Sequence, residues 1–199
     1  MPETVAIIGA GPLGRRLALA AARAGVPSDR SSSLGWSAGF RVLLEDVMPA
    51  NLHHAQEFLR QQLGPDALPN IAFVSTIDDA VREADLAIDC VPDELESKLE
   101  ILWLLDRMAP PRTVLATPTT RLSIADLASC TYRPERCVAI AQEASSLADG
   151  GSSEILLRTT SRTSPETVAL LTRFWSRIGF RPTFALDPAE LPNVTSDSE

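Results

Sequence analysis

The residues best suited to chemistry lie near the N-terminus, in Gly9-Ala10-Gly11-Pro12-Leu13-Gly14. This G-x-G-x-x-G follows an apolar, β-branched run at 4–8 and opens an alanine- and leucine-rich run at 12–24. Strand, glycine turn and helix in that order form a cradle for a pyrophosphate. Gly9 permits the tight turn, Gly11 lets the backbone approach the phosphates, and Gly14 lets the helix pack close to the strand. The helix start, around Leu13, then offers free N–H groups and a partial positive charge. Pro12 gives up one donor, at an early helical position that tolerates it.

Such a site also needs an acid at the end of the second strand, to bind the adenosine ribose of a dinucleotide. Asp46 lies 32 residues past Gly14, further than the roughly 20 usual for this motif. The stretch 26–39, VPSDRSSSLGWSAG, accounts for the excess: without its 14 residues the spacing is 18. Glu45 is an adjacent rival. Alternation favours Asp46, which shares a face with Val42 and Leu44. No arginine directly follows Asp46, and two carboxylates at one strand end repel a 2′-phosphate. The expected cofactor is therefore NAD rather than NADP.

These groups need a scaffold, and the chain alternates strand and helix to supply one. Strands are expected at 4–8, 40–44, 71–74, 84–91, 113–116, 137–141, 154–158 and 181–186. Helices are expected at 12–24, 49–63, 77–82, from Pro92 to the stop at Pro110-Pro111, and at 123–129 and 164–178. Gly25 reads as a C-cap, and Gly64-Pro65 ends the second helix. Leu95, Leu99, Leu102, Leu105 and Met108 make an apolar stripe on the fourth. The alternation predicts an α/β fold: a Rossmann-type, doubly wound, mainly parallel sheet in one nucleotide-binding domain over 1–187. The serine-rich stretch 26–39 reads as a solvated insertion loop, with Trp36 as its anchor or as a contact surface. The polar tail 188–199 is expected to be loose from Asp187 onward.

Composition narrows the partners. Hydrophobic residues are 45% and charged residues 22% of the 199, the balance of a soluble globular protein. No apolar run approaches the roughly 20 residues of a membrane span. The start, Met1-Pro2-Glu3-Thr4, lacks the basic region of a secretory signal. A net charge of −8 repels phosphate backbones and argues against nucleic acid. Cys90, Cys130 and Cys137 lack metal-ligand spacing, so no metal site is expected. They read as reduced thiols of a cytoplasmic protein.

Several blocks carry a likeness to a known family. Residues 46–55, DVMPANLHHA, match acid-x-x-Pro-x-x-Leu-x-x-Ala, and residues 84–98, ADLAIDCVPDELESK, match ADLVIEAVPE-x-L-x-x-K. Residues 113–124, TVLATPTTRLSI, match a strand that carries Asn-Thr-Ser; RPER at 133–136 and TSPET at 163–167 are further landmarks. In these blocks the chain resembles the NAD-binding domain of 3-hydroxyacyl-CoA dehydrogenases, oxidoreductases of fatty-acid β-oxidation. The likeness implies NAD as cofactor and an acyl-CoA as substrate. By position it implies that Asp93 and Lys98 lie at the cofactor edge and that Thr120 stands near the nicotinamide and the substrate hydroxyl. It also implies that Glu154 is the catalytic glutamate that orients a histidine. The bland alternatives are a solvated helix charge for Lys98, strand-end packing for Thr120 and an exposed strand-edge carboxylate for Glu154.

The likeness breaks at the reaction centre. The family's His-Phe-x-Asn-Pro reads Ala141-Gln142-Glu143-Ala144-Ser145, and the Asn of Asn-Thr-Ser is Pro118. Oxidising an alcohol needs a base, which typically contributes 10²–10⁴-fold, and the alanine at 141 has no proton acceptor. The two histidines, His53 and His54, belong to the helix after the second strand, near the adenosine half. Glu143 is the nearby substitute, too weak a base unless burial raises its pKa. The family's helical domain, which completes the acyl-CoA site, has no counterpart before the chain ends. The expectation is an NAD-binding protein with weak or no turnover alone. The alternative is an active dehydrogenase, alone or completed by a separate helical subunit. A homodimer or that helical chain is the expected protein partner.

Overall fold

Short apolar, β-branched runs pair side by side into one sheet. In the computed structural model, which describes residues 3–24, 40–63, 68–142 and 154–191, the strands are β1 (Thr4–Ile8), β2 (Arg41–Glu45), β3 (Ile71–Val74), β4 (Leu86–Asp89), β5 (Val114–Pro118), β6 (Cys137–Ile140), β7 (Glu154–Thr159) and β8 (Arg181–Leu186). Their order is β3-β2-β1-β4-β5-β6-β7-β8. Every neighbouring pair is parallel except β6 and β7. The helices are α1 (Pro12–Arg23), α2 (Pro49–Gln62), α3 (Ile77–Val81), α4 (Leu95–Met108), α5 (Ile124–Ser129) and α6 (Pro165–Arg177).

The central strands read as unbroken apolar runs because both their faces are covered. Val5, Ile7, Val42, Leu44 and Ile88 pack with Leu17 of α1, Leu59 of α2 and Phe174 and Trp175 of α6. On the opposite face Ala6, Ile8, Leu43 and Ala87 pack with Val81 of α3, Leu102 and Leu105 of α4 and Leu127 of α5. The sheet is therefore doubly wound and mainly parallel, as the alternation predicts. β1 pairs with both β2 and β4, so the strand order reverses there. In such a sheet the carboxyl ends of the strands beside that reversal, here β1 and β4, flank the crevice that usually takes a nucleotide.

Three expectations are corrected. The fourth helix does not begin at Pro92: Glu94, in extended backbone, is its N-cap, and α4 starts at Leu95. The buried face of α4 is Lys98, Ile101, Leu102 and Leu105, while Leu95 is 51% and Met108 41% exposed. Inward recruitment of Lys98 rotates the stripe. The tail is not loose from Asp187, which is 1% exposed. Its Oδ2 accepts the Ile124 N–H at 2.5 Å, satisfying a donor at the start of α5, and its Oδ1 accepts from Ala189. A 3-10 turn follows at Pro188–Glu190. Gly25, the stretch 26–39 with Trp36, Gly64-Pro65, Glu143 and the tail beyond 191 lie outside the described residues.

Candidate functional site

The glycine turn sits at the carboxyl end of β1. Gly9 has φ +102°, a left-handed conformation that costs a residue with a Cβ. Its N–H donates to the Glu45 carbonyl at 2.8 Å, which ties the turn to β2. A Cβ on Gly14 would lie 1.8 Å from the Gly9 carbonyl oxygen, so only glycine lets α1 approach the strand this closely. A Cβ on Gly11 would meet nothing within 4 Å. Gly11 is the N-cap of α1 and brings no side-chain cap; Pro12 follows, and the first turn holds no acid. The amides of Leu13 and Gly14 are therefore among the donors that a helix start leaves unsatisfied. Open space over Gly11 and uncapped amides suit a pyrophosphate.

The two acids at the end of β2 have opposite surroundings. Asp46 lies on the α1–α2 side, where its Oδ2 accepts from the Ala10 N–H at 2.9 Å and from Asn51 Nδ2 at 3.0 Å. Its Oδ1 accepts from the Met48 N–H at 2.8 Å. Asn51 Nδ2 also reaches Oδ1 at 3.2 Å, so the carboxylate clamps the glycine turn to the start of α2 with its roughly four lone-pair sites engaged. Glu45 points to the other face with Leu43 and is 2% exposed. Its Oε1 has no partner among the described residues. Burial, and then the charge of Asp46, pushes its carboxyl up to about 7.

Between the two halves of the crevice lies a buried polar knot. Lys98 Nζ is fully enclosed and reaches Asp89 Oδ1 at 3.1 Å, Asp89 Oδ2 at 3.2 Å and the Val91 carbonyl at 3.1 Å. The Thr117 hydroxyl donates to Asp89 Oδ2 at 2.5 Å, and the Val91 N–H donates to Oδ1. Burial pushes the Asp89 carboxyl upward, while the ammonium and these donors pull it back. The lysine expected at the cofactor edge is thus corrected to an interior one. Its ammonium holds the Cys90–Pro92 loop against the glycine turn, where the Cys90 carbonyl is 3.3 Å from where a Gly9 Cβ would stand. Asp89 and Thr117 were not singled out from sequence; an acid inside the apolar LAIDCV, followed by a lysine, was the available signal.

The structure brings Asp93 and Thr120 together. The Thr120 N–H points to Asp93 Oδ2 at 3.4 Å, and Asp93 Oδ1 is buried without a partner among the described residues. It does not bring Glu154 to position 141. Register pairs Ala139 with Arg158 and Ile140 with Leu157, and the Ala141 N–H donates to the Leu156 carbonyl at 2.9 Å. Leu156, 37% exposed, therefore faces Ala141. Glu154 stands two residues further along β7, where its carboxylate pairs with Arg181 in the open. The partnership expected of Glu154 is corrected accordingly: position 141 is flanked by a hydrocarbon. His53 and His54 lie on α2, and the His53 ring is 3.5 Å from Glu57 on an exposed surface. The three cysteines are unpaired, and burial pushes the Cys137 thiol up to about 11. Among the described residues no cluster of metal-ligating side chains is present, and no helix is long and apolar enough to cross a membrane.

Comparison with known proteins adds the following. Residues 4–142 match the family model for the NAD binding domain of 3-hydroxyacyl-CoA dehydrogenase. The chain is 29% identical over 149 residues to a probable 3-hydroxybutyryl-CoA dehydrogenase of Bacillus subtilis, covering 68% of this chain and 47% of that protein. It is 31% identical over 138 residues to an L-carnitine dehydrogenase of Burkholderia mallei, covering 68% and 41%. The chain thus spans less than half the length of these relatives. In fold it is similar to the crystal structure of (S)-3-hydroxybutyryl-CoA dehydrogenase from Ralstonia eutropha, with a TM-score of 0.77, 21% identity and coverage of 94% and 64%.

Proposed function

The chain belongs to the 3-hydroxyacyl-CoA dehydrogenase family through its NAD-binding domain, and from that premise we propose that it binds NAD and performs little or no hydride transfer by itself. Gly9, Gly11, Pro12, Leu13 and Gly14 would hold the pyrophosphate, and Asp46 would hold the adenosine ribose. Glu45 would lie beneath it, while Asp93 and Thr120 would border the nicotinamide end. When bound, NAD supplies the hydride-accepting group. The chain's own residues bind and orient it, and Lys98 acts from behind by fixing the 90–92 loop. Residues 1–187 form one domain in this reading, supported by a single sheet that runs through Leu186. Unpaired thiols fit a cytoplasmic setting.

The observation that carries the reading is the pair Ala141 and Leu156. A base must lie within about 2.6–3.2 Å of the proton it removes, directly or through one water. Neither side chain has an atom that accepts one, and Glu154 is committed to Arg181. A second reading, an active NAD-dependent 3-hydroxyacyl-CoA dehydrogenase completed by a separate helical subunit, is favoured by exposed apolar side chains on β7 and β8. Leu156 is 37% and Leu186 46% exposed.

The test is NADH fluorescence on binding to the purified chain, followed by NADH oxidation with acetoacetyl-CoA. Binding without turnover is expected. A turnover number in the ordinary range of about 1–10³ s⁻¹ would overturn the reading. Replacing both facing residues, Ala141→His with Leu156→Glu, should raise turnover more than Ala141→His with Glu154 left as the only acid.

A further inference from the structure

We propose that the half of the crevice without a base recognises a small carboxylate, with Arg158 as its anion-binding residue. The proposal deepens the NAD-binding reading by naming the chemistry of the second ligand. Register places Arg158 opposite Ala139, and Ala139 beside Thr117. Arg158 therefore lies on the same face, and at the same level, as the Asp89–Thr117 knot. The next level toward the open edge is Ala141 and Leu156, which face each other. A half-buried guanidinium thus stands under two small side chains and a leucine, at the end of the crevice bordered by Thr120.

Its hydrogen bonding leaves it available. Arg158 Nη2 donates to the Thr120 carbonyl at 3.0 Å, and among the described residues no carboxylate pairs with it. Arg41, Arg82, Arg112, Arg133, Arg173 and Arg181 all have one. Arg15 is also half-buried with no acid beside it among the described residues, but it lies over the Phe58 ring, whereas Arg158 is held through the Thr120 carbonyl. The guanidinium carries five N–H donors in a planar fork that matches a carboxylate with two parallel bonds. Apolar neighbours lower the local dielectric and strengthen that attraction. Tethering to the Thr120 backbone fixes the fork beside the residue that borders the nicotinamide end. A thioester offers no negative charge to this group; a free hydroxy or keto acid does.

The experiment titrates the full chain with 3-hydroxybutyrate and with its uncharged amide, with and without NADH, while NADH binding is followed by fluorescence. Wild type should prefer the acid by about tenfold or more, as a charge-assisted bidentate contact implies. Arg158→Gln should abolish the preference while leaving NADH affinity within about twofold, and Arg158→Lys should retain part of it. Equal affinity for acid and amide, no binding of the acid, or a preference that survives Arg158→Gln would overturn the proposal. A merely structural tether would lower the melting temperature of Arg158→Gln and leave the preference intact. Acid preference without NADH binding would sink the nucleotide reading and keep this one; NADH binding without acid preference would do the reverse.

Discussion

The crevice has two ends built on different principles. At the β1–β2 end the proposed recognition surface is main chain: Gly9 with φ +102°, a Gly14 where a Cβ would meet the Gly9 carbonyl, and the uncapped start of α1. At the β6–β7 end recognition and chemistry depend on side chains, and there Ala141 faces Leu156. A backbone site survives substitution of most residues around it, because geometry and amide donors do the binding. A proton-transfer site is lost with one residue, because alanine offers no acceptor. In the proposed reading, binding and catalysis are separable on one scaffold, and likeness at the first end does not by itself carry the activity of the second.

The comparison can be broken at the seam between the ends. Lys98→Met leaves Asp89 buried without its ammonium and should cost about 3–5 kcal/mol of stability by urea denaturation. Adding Asp89→Leu should recover most of that. A single-variant loss under about 1 kcal/mol would mean the ion pair does not brace the crevice.

Glu45 tests the nucleotide end through pH. Its carboxyl is raised from 4.5 to about 7 in the folded chain, so the folded state holds a proton that the unfolded state releases earlier. The stability this contributes is fully present below the unfolded pKa and is lost as pH rises through about 7. Relative to wild type, Glu45→Gln should be neutral near pH 4 and more stable by about 3 kcal/mol at pH 8. A pH-independent difference would sink the assignment.

Asp46→Ala removes the clamp and a charge-assisted acceptor, so NADH affinity should fall by about 1.5–3 kcal/mol, read by fluorescence titration. Tighter binding of NADPH than NADH by the unmutated chain would contradict the preference drawn from the two acids. The smallest effect belongs to the other end. Glu154→Gln removes an exposed ion pair with Arg181 and should change stability by less than about 1 kcal/mol, with NADH affinity unchanged. A large loss of NADH binding would show that Glu154 reaches further than its register position allows.

Local pattern made much of this molecule legible. The G-x-G-x-x-G between an apolar run and an alanine-rich one specifies strand, turn and helix, because each signal lies within a few residues of the structure it sets. Alternation put Asp46 with Val42 and Leu44, and it stands on their side of the sheet. Helix starts were expected at 77, 123 and 164, and in the structure the side chains of Thr76, Ser123 and Ser164 cap the amide three residues on.

What the tertiary structure decided is where distant segments meet. A lysine three residues past the start of α4 reads as a solvent charge until β4 supplies an acid beneath it, and only then does burial become tolerable. Asp187 reads as the start of a tail until its carboxylate meets the α5 amide 63 residues earlier. Glu154 and Leu156 point to the same face, and the sequence cannot say which of them stands opposite position 141. Side chains alternate with a period of two, so a two-residue shift keeps every face and moves the contact by about 6.8 Å. Pairing between β6 and β7 sets that register, and it put leucine where a carboxylate was expected.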